Sequence, residues 1–194
     1  MWRGGAPPPG APPLPLTPAG EAQARSLAPL LADRAFALVL TSPLARARRT
    51  AELAGLTGAE PEPDLREWDY GAYEGVTTAD VRTTRPGWDL WTDGVPPGEE
   101  FPGESPEQVG ARADRVLARV AGALERGDVM LVAHGHLLRV LTARRLGLPP
   151  SHGRLFRLET GTLSRLSLEH GSPVIAEWNT RPPMPAHGTG RAPD

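Results

Sequence analysis

A chain of 194 residues fits one domain of ordinary size, and its 23 acidic and 21 basic side chains nearly cancel, which excludes a nucleic-acid or membrane-surface role driven by bulk charge. Every base is Arg, a bias that with abundant Ala, Gly and Pro fits GC-rich codon use, and the absence of Cys excludes disulfides, thiol nucleophiles and cysteine metal sites. No stretch reaches the roughly 18 apolar residues of a membrane span and the start lacks the apolar core of a signal peptide, so the expectation is a soluble, cytoplasmic protein.

Residues 1–13 are rich in Gly, Pro and Ala and read as an irregular N-terminal segment; residues 181–194 read as a disordered tail of similar composition. The PxxP spacing from Pro12 to Pro15 is the chance product of so Pro-rich a stretch. Between these ends, residues 14–180 form the expected domain. Thr17 is placed to cap a helix that opens with Pro18 and Glu21 and carries Leu27, Leu30 and Leu31 on one face. The run FALVLTS is a short buried strand ending at Ser42, and PLARARRTAELAG continues as a helix closed by Gly55. Residues 76–104, with Trp88, Trp91 and several Pro, read as a long insertion that lids a pocket. Ser105-Pro106-Glu107-Gln108 is a capping box opening a long helix with Val109, Val116, Val120 and Leu124 at helical spacing. DVMLVAH is a second buried strand and HLLRVLTARRLG the helix after it, while RLFRLETG, TLSRLSLE and VIAEWN read as shorter strands. Strands separated by helices predict an α/β fold, a three-layer sandwich with a mainly parallel central sheet flanked by helices.

Ligands of such sheets bind at the carboxyl ends of the strands, and two strand ends here carry polar residues. After the first strand, Arg46, Arg49 and Thr50 share a helix face, whereas Arg48 reads as part of a solvated surface. Arg46 lies in the first helical turn, where the helix dipole already favours an anion that a guanidinium grips with two parallel bonds. His134 ends the other strand, Gly135 allows close approach of a ligand to the backbone, and the following helix aims its N–H groups at the same spot. His136 reads as a fold-supporting or solvent-facing side chain. A metal held by His134 and His136 lacks a third ligand at suitable spacing, so no metal or other cofactor is expected. Between the two strand ends, DLREWDYGAYEG offers Glu67, Asp69 and Glu74 as candidate acids beside Trp68, Tyr70 and Tyr73, aromatics able to desolvate a carboxyl.

Taken together, LTPAGEAQA, TSPLARARRTAEL, LREWDYGAYEG, GESPEQVGARADRVL and VAHGHLLRVL resemble, in order and over residues 14–148, the histidine phosphatase superfamily that includes the phosphoglycerate mutases. The loop LREWDYGAYEG with WDLWTDG and GES is more similar to the sedoheptulose-bisphosphatase-like branch. The resemblance implies a phosphate-binding role for Arg46 together with Gly135, a general-acid role for Glu67 and, for His134, the part of the second histidine that holds the phosphoryl oxygens. It implies a small phosphorylated metabolite as partner and hydrolysis of phosphomonoesters, sugar phosphates among them, through a phosphohistidine.

The family's hallmark, a first strand ending in Arg-His-Gly whose histidine becomes phosphorylated, does not occur in the sequence. The first strand of the fold is therefore expected to be missing or truncated. The spacing from Trp2 to Thr17 matches that of relatives. One explanation is a start codon placed too far downstream, which the preserved Glu67, Arg46 and His134 favour; the other is a shortened gene, which the run RGGAPPPGAPP fits better. Three functional expectations follow: a phosphatase whose nucleophile is absent from this chain, an inactive member that binds phosphorylated metabolites or a protein partner, and a mutase-type phosphoryl transfer. Arg66, Arg82 and Arg85 are candidates for a second phosphate or for ordinary surface positions.

Overall fold

The computed structural model describes residues 14–182. The irregular segment expected over 1–13 and nearly all of the tail expected over 181–194 lie outside the described residues.

In chain order the elements are α1 (Pro18–Ser26), α2 (Ala28–Leu31), β1 (Phe36–Thr41), α3 (Ala45–Leu53), β2 (Glu60–Pro61), α4 (Thr78–Thr84), α5 (Leu90–Asp93), α6 (Pro106–Leu124), β3 (Asp128–Val132), α7 (Gly135–Arg145), β4 (Leu163–Glu169) and β5 (Ser172–Thr180). The expected caps are in place: Thr17 Oγ1 accepts from Gly20 N at 3.1 Å, and Ser105 and Gln108 exchange the two bonds of a capping box. A second capping box, Thr77 with Asp80, opens α4.

Three parallel strands form the sheet in the order β2-β1-β3. Helix α6 lays Val109, Ala113, Val116 and Val120 on one face of it, and α7 adds Leu137, Val140 and Leu141 to the same cluster. At roughly 1.5–3 kcal/mol for each large side chain removed from water, this stripe is a principal source of stability. The other face is covered by Leu27, Leu31 and Ala54, with Met130 and Phe36 packed against them.

The strands β4 and β5 form an antiparallel hairpin with no hydrogen bond to the other three. Leu166 of β4 packs into the α6/α7 cluster and Leu163 into the opposite one, so the hairpin stands in line with the sheet instead of covering a face. Among the described residues β3 pairs only with β1, and β4 only with β5. Like the outer strands β2 and β5, both therefore have one edge whose N–H and C=O groups meet no ladder partner among the described residues.

Two expectations are corrected. RLFRLETG is not a strand, because the chain makes a 3-10 turn over Pro150–Leu155 and its carbonyls are met by side chains instead of a ladder. Arg139 donates to Gly153 O and Arg154 O, while Trp178 Nε1 and Asn179 Nδ2 donate to Arg157 O. The second concerns residues 76–104, expected as a long insertion that lids a pocket, part of which packs into the core. Val81, Trp88, Trp91 and Val95 are buried, Trp91 meets Trp68 edge-on at 5.6 Å, and Trp88 Nε1 donates to Gly94 O.

That wall is fastened where Gly71 passes between two other segments at φ +44°, and a Cβ there would lie 2.3 Å from Pro96 O and 2.7 Å from Gly103 Cα. Both obstacles are backbone and cannot swing aside. Gly71→Ala is therefore expected to cost about 2–4 kcal/mol in a urea titration. A loss below about 0.5 kcal/mol would show that the three segments are not held together as described.

Candidate active site

Parallel pairing brings the two polar strand ends side by side. The register sets Thr41 opposite Val132, and Ser42 N extends the ladder by donating to Val132 O at 2.9 Å. One residue further, Ser42 Oγ lies 2.8 Å from His134 Nε2, a contact between residues 92 apart in sequence. Both are buried, Ser42 fully and His134 to 8% exposure.

Glu67 reaches the start of α7 from the neighbouring loop. Its Oε1 accepts from Trp68 N at 2.9 Å and Leu137 N at 3.0 Å, and its Oε2 accepts from His136 N at 3.2 Å. His134, the N-cap of α7, makes no side-chain cap bond, so Glu67 caps this helix from outside it. This revises the expected use of the helix N-terminus: two of its N–H groups are taken by Glu67, and Gly135 N–H is left without a partner among the described residues. Gly135 is exposed, and a Cβ on it would meet nothing within 4 Å.

Arg46 makes no hydrogen bond or ion pair from its guanidinium among the described residues, yet its charge is felt by Tyr70, Glu74 and His134. Arg49, on the same helix face, is committed to Glu21 and Glu52. Arg82 donates to Trp88 O and Arg85 to Tyr73 Oη, whereas Arg66 is exposed.

Of the three candidate acids, Asp69 is used in the loop itself, its Oδ1 accepting from Gly71 N and Gly103 N. Glu74 has its carboxyl raised above the ordinary range, chiefly by burial and then by Asp69, with Arg46 opposing. Glu67 holds the place nearest the helix start. Of the aromatics expected to desolvate a carboxyl, Trp68 is in the core, Tyr73 stacks edge-on against Trp88 at 5.2 Å, and Tyr70 Oη lies 2.5 Å from His136 Nδ1. Burial pushes Tyr70 up and His136 down, so a protonated phenol and a neutral imidazole share this hydrogen bond. His136 is thus a half-buried partner of Tyr70.

The support for Glu67 was not foreseen. Arg112 of α6, 7% exposed, forms a bidentate pair with Glu104 at 2.7 Å for each bond and donates to Asp64 O, Arg66 O and Glu67 O. Glu104 in turn accepts from Asp69 N, and its carbonyl accepts from Trp68 Nε1. The only sequence signal for this clamp is a basic residue on the apolar stripe of a helix, one turn after Gln108.

Burial lowers the His134 imidazole to about 4, with Arg46 and Arg112 pushing the same way and Glu67 opposing. The ring is therefore neutral at pH 7, and a phosphoryl oxygen would meet it as an N–H dipole instead of a cation. Among the described residues no three His, Asp or Glu side chains are grouped to hold a metal ion, and no helix is long and apolar enough to cross a membrane.

Two predictions follow from this geometry. Because the unfolded imidazole takes up protons below pH 6.5 and the folded one resists them until about 4, this group makes no pH-dependent contribution above 6.5 and destabilises the fold as pH falls between those values. The loss reaches about 3 kcal/mol at most. His134→Gln should flatten that part of a stability-against-pH curve; an unchanged slope would contradict the assignment. Glu67→Ala removes a helix cap and should cost about 1–2 kcal/mol, with Glu67→Gln costing less, as read from chemical denaturation. Equal stability of both variants with the parent would rule out the capping role.

Residues 3–181 match the histidine phosphatase superfamily, branch 1. The chain is 39% identical over 163 residues to an acid phosphatase of Mycobacterium tuberculosis, covering 83% of this chain and 78% of that protein. It is 32% identical over 166 residues to the sedoheptulose 1,7-bisphosphatase of Saccharomyces cerevisiae, covering 70% of this chain and 59% of that one. The crystal structure of a Mycobacterium tuberculosis open-reading-frame product superposes with a TM-score of 0.81 at 37% identity, over 89% of this chain and 88% of that one. With strand ends, helix cap and acidic loop arranged as above, the chain belongs to branch 1 of the histidine phosphatase superfamily.

Proposed function

We propose that this protein is a phosphatase site for small phosphomonoesters, sugar phosphates among them, in which Arg46, His134 and the Gly135 N–H hold the phosphoryl group and Glu67 protonates the leaving oxygen. The observation that carries this reading is an Arg46 guanidinium with no partner among the described residues, its charge acting on a neutral, buried His134 next to the exposed Gly135 that starts α7. A set of donors around one spot stabilises charge spread over phosphoryl oxygens without a metal.

In the proposed reaction an imidazole nitrogen attacks phosphorus in line as the P–O bond to the leaving group breaks. The departing oxygen takes a proton from Glu67. Oε1 already accepts two N–H bonds and Oε2 only one, so Oε2 is the oxygen with room to carry that proton. Water then attacks phosphorus, the P–N bond breaks, the water proton passes to Glu67, and phosphate leaves.

None of the five histidines follows an arginine as in Arg-His-Gly, so the attacking imidazole is not among the residues of this sequence. The unpaired edges of β3 and β4, in line with each other, are where a strand carrying it would seat. Relatives named as phosphatases support hydrolysis, while relatives named as probable phosphoglycerate mutases support the mutase-type transfer as a further reading. A second reading, a binder of phosphorylated metabolites, rests on the same donors being assembled without that nucleophile.

The test pairs binding with turnover. The 194-residue chain should bind inorganic phosphate or vanadate, should lose at least about tenfold in affinity on Arg46→Ala, as expected for a charge-assisted bond, and should hydrolyse an aryl phosphate negligibly. The same chain extended at its N-terminus by an apolar strand ending in Arg-His-Gly should gain metal-independent turnover that His134→Ala abolishes. Robust turnover by the unextended chain would overturn the placement of the nucleophile, and failure to bind either anion would overturn the site.

A further inference from the structure

Ser42 is buried completely, follows β1 directly, and has no place in the phosphoryl-transfer scheme above, yet its hydroxyl touches the histidine on which that scheme depends. The direction of that hydrogen bond follows from counting partners. Ser42 Oγ already accepts from Leu44 N at 3.3 Å, a bond within the turn that starts α3. Its remaining neighbour among the described residues is His134 Nε2 at 2.8 Å. If Nε2 carried the ring proton and donated, the hydroxyl would accept twice, and its own O–H would be buried with no acceptor. An unmet buried donor costs about 1–3 kcal/mol. If the hydroxyl donates, both groups are satisfied.

We propose that Ser42 is a positioning residue: its hydroxyl donates to His134 Nε2 and thereby fixes the ring proton on Nδ1, the nitrogen left to meet a phosphoryl oxygen. Nδ1 has no partner among the described residues, and it is not a sealed orphan, since the one buried side-chain atom lacking a partner there is His152 Nδ1. The charged groups around the ring are Glu67, Arg46 and Arg112, and burial outweighs the pull of Glu67, so the ring is neutral at pH 7 and has a single proton to place. In the alternative tautomer a bare Nδ1 lone pair would face the oxygens of a phosphate and repel them. The serine thus turns a neutral histidine into a donor of defined direction. The ligand half of the inference rests on the phosphate-site reading; the tautomer half does not.

The experiment uses the full chain labelled with nitrogen-15 in its histidine rings, near neutral pH, with His134 assigned by its loss in His134→Gln. The expected spectrum has His134 Nδ1 protonated and Nε2 bare. In Ser42→Ala both tautomers should appear, and affinity for inorganic phosphate should fall about five- to tenfold, the worth of one hydrogen bond. Ser42→Thr, which restores the hydroxyl, should restore both the single tautomer and the affinity. A protonated Nε2 in the parent chain, or a Ser42→Ala spectrum identical to the parent, would overturn the proposal whether or not the variants fold well. An Nδ1-protonated ring in a chain that binds no phosphate would support the tautomer assignment and overturn the phosphate site, so the two failures are distinct.

Discussion

The site depends on the parallel ladder between β1 and β3. Its register makes both strands end at the same height, so that Ser42 and His134, distant in sequence, meet across one hydrogen bond. A slip of either strand by one residue would turn its own side chain to the other face and separate the two. The apolar alternation behind that register is the same one that puts Leu38, Leu40, Val129 and Leu131 against α6 and α7. The packing that stabilises the domain therefore also sets the geometry of the site.

On this frame the loop from Asp64 to Glu74 is held from two directions. Arg112 anchors its backbone from α6, and the start of α7 receives the Glu67 carboxylate. Losing one partner of the buried Arg112–Glu104 pair would leave an uncompensated charge, which is why the clamp is rigid. The result is a carboxylate with one crowded and one open oxygen, beside a neutral imidazole and a guanidinium that no described residue neutralises. Of the three, the imidazole is the one whose charge is set by burial.

Much of this was legible in the sequence because it obeys local rules. The caps at Thr17 and Ser105, the strands before Ser42 and His134, and the helix face of Arg46 all follow from spacing and turn chemistry. What was not legible depends on contacts between distant segments. RLFRLETG has the composition of a strand but is held by side chains of Arg139, Trp178 and Asn179. Trp88 and Trp91 look like ornaments of a loop until the core they complete is seen. The helix N-terminus looked free for a phosphate because nothing local says that Glu67 caps it from 70 residues away. The motif Arg-His-Gly is absent from the sequence, and among the described residues β3 and β4 each have one edge without a ladder partner.

The central claim is that an anion belongs where Arg46, His134 and the Gly135 N–H converge. The most direct measurement is a crystal structure of the chain soaked with vanadate or tungstate, whose scattering locates the ion without ambiguity. The account predicts one ion within hydrogen-bond reach of the Arg46 guanidinium, His134 Nδ1 and Gly135 N, with Glu67 still seated on the start of α7. An ion bound elsewhere with this spot left to solvent, or one that displaces Glu67 from the helix, would contradict it.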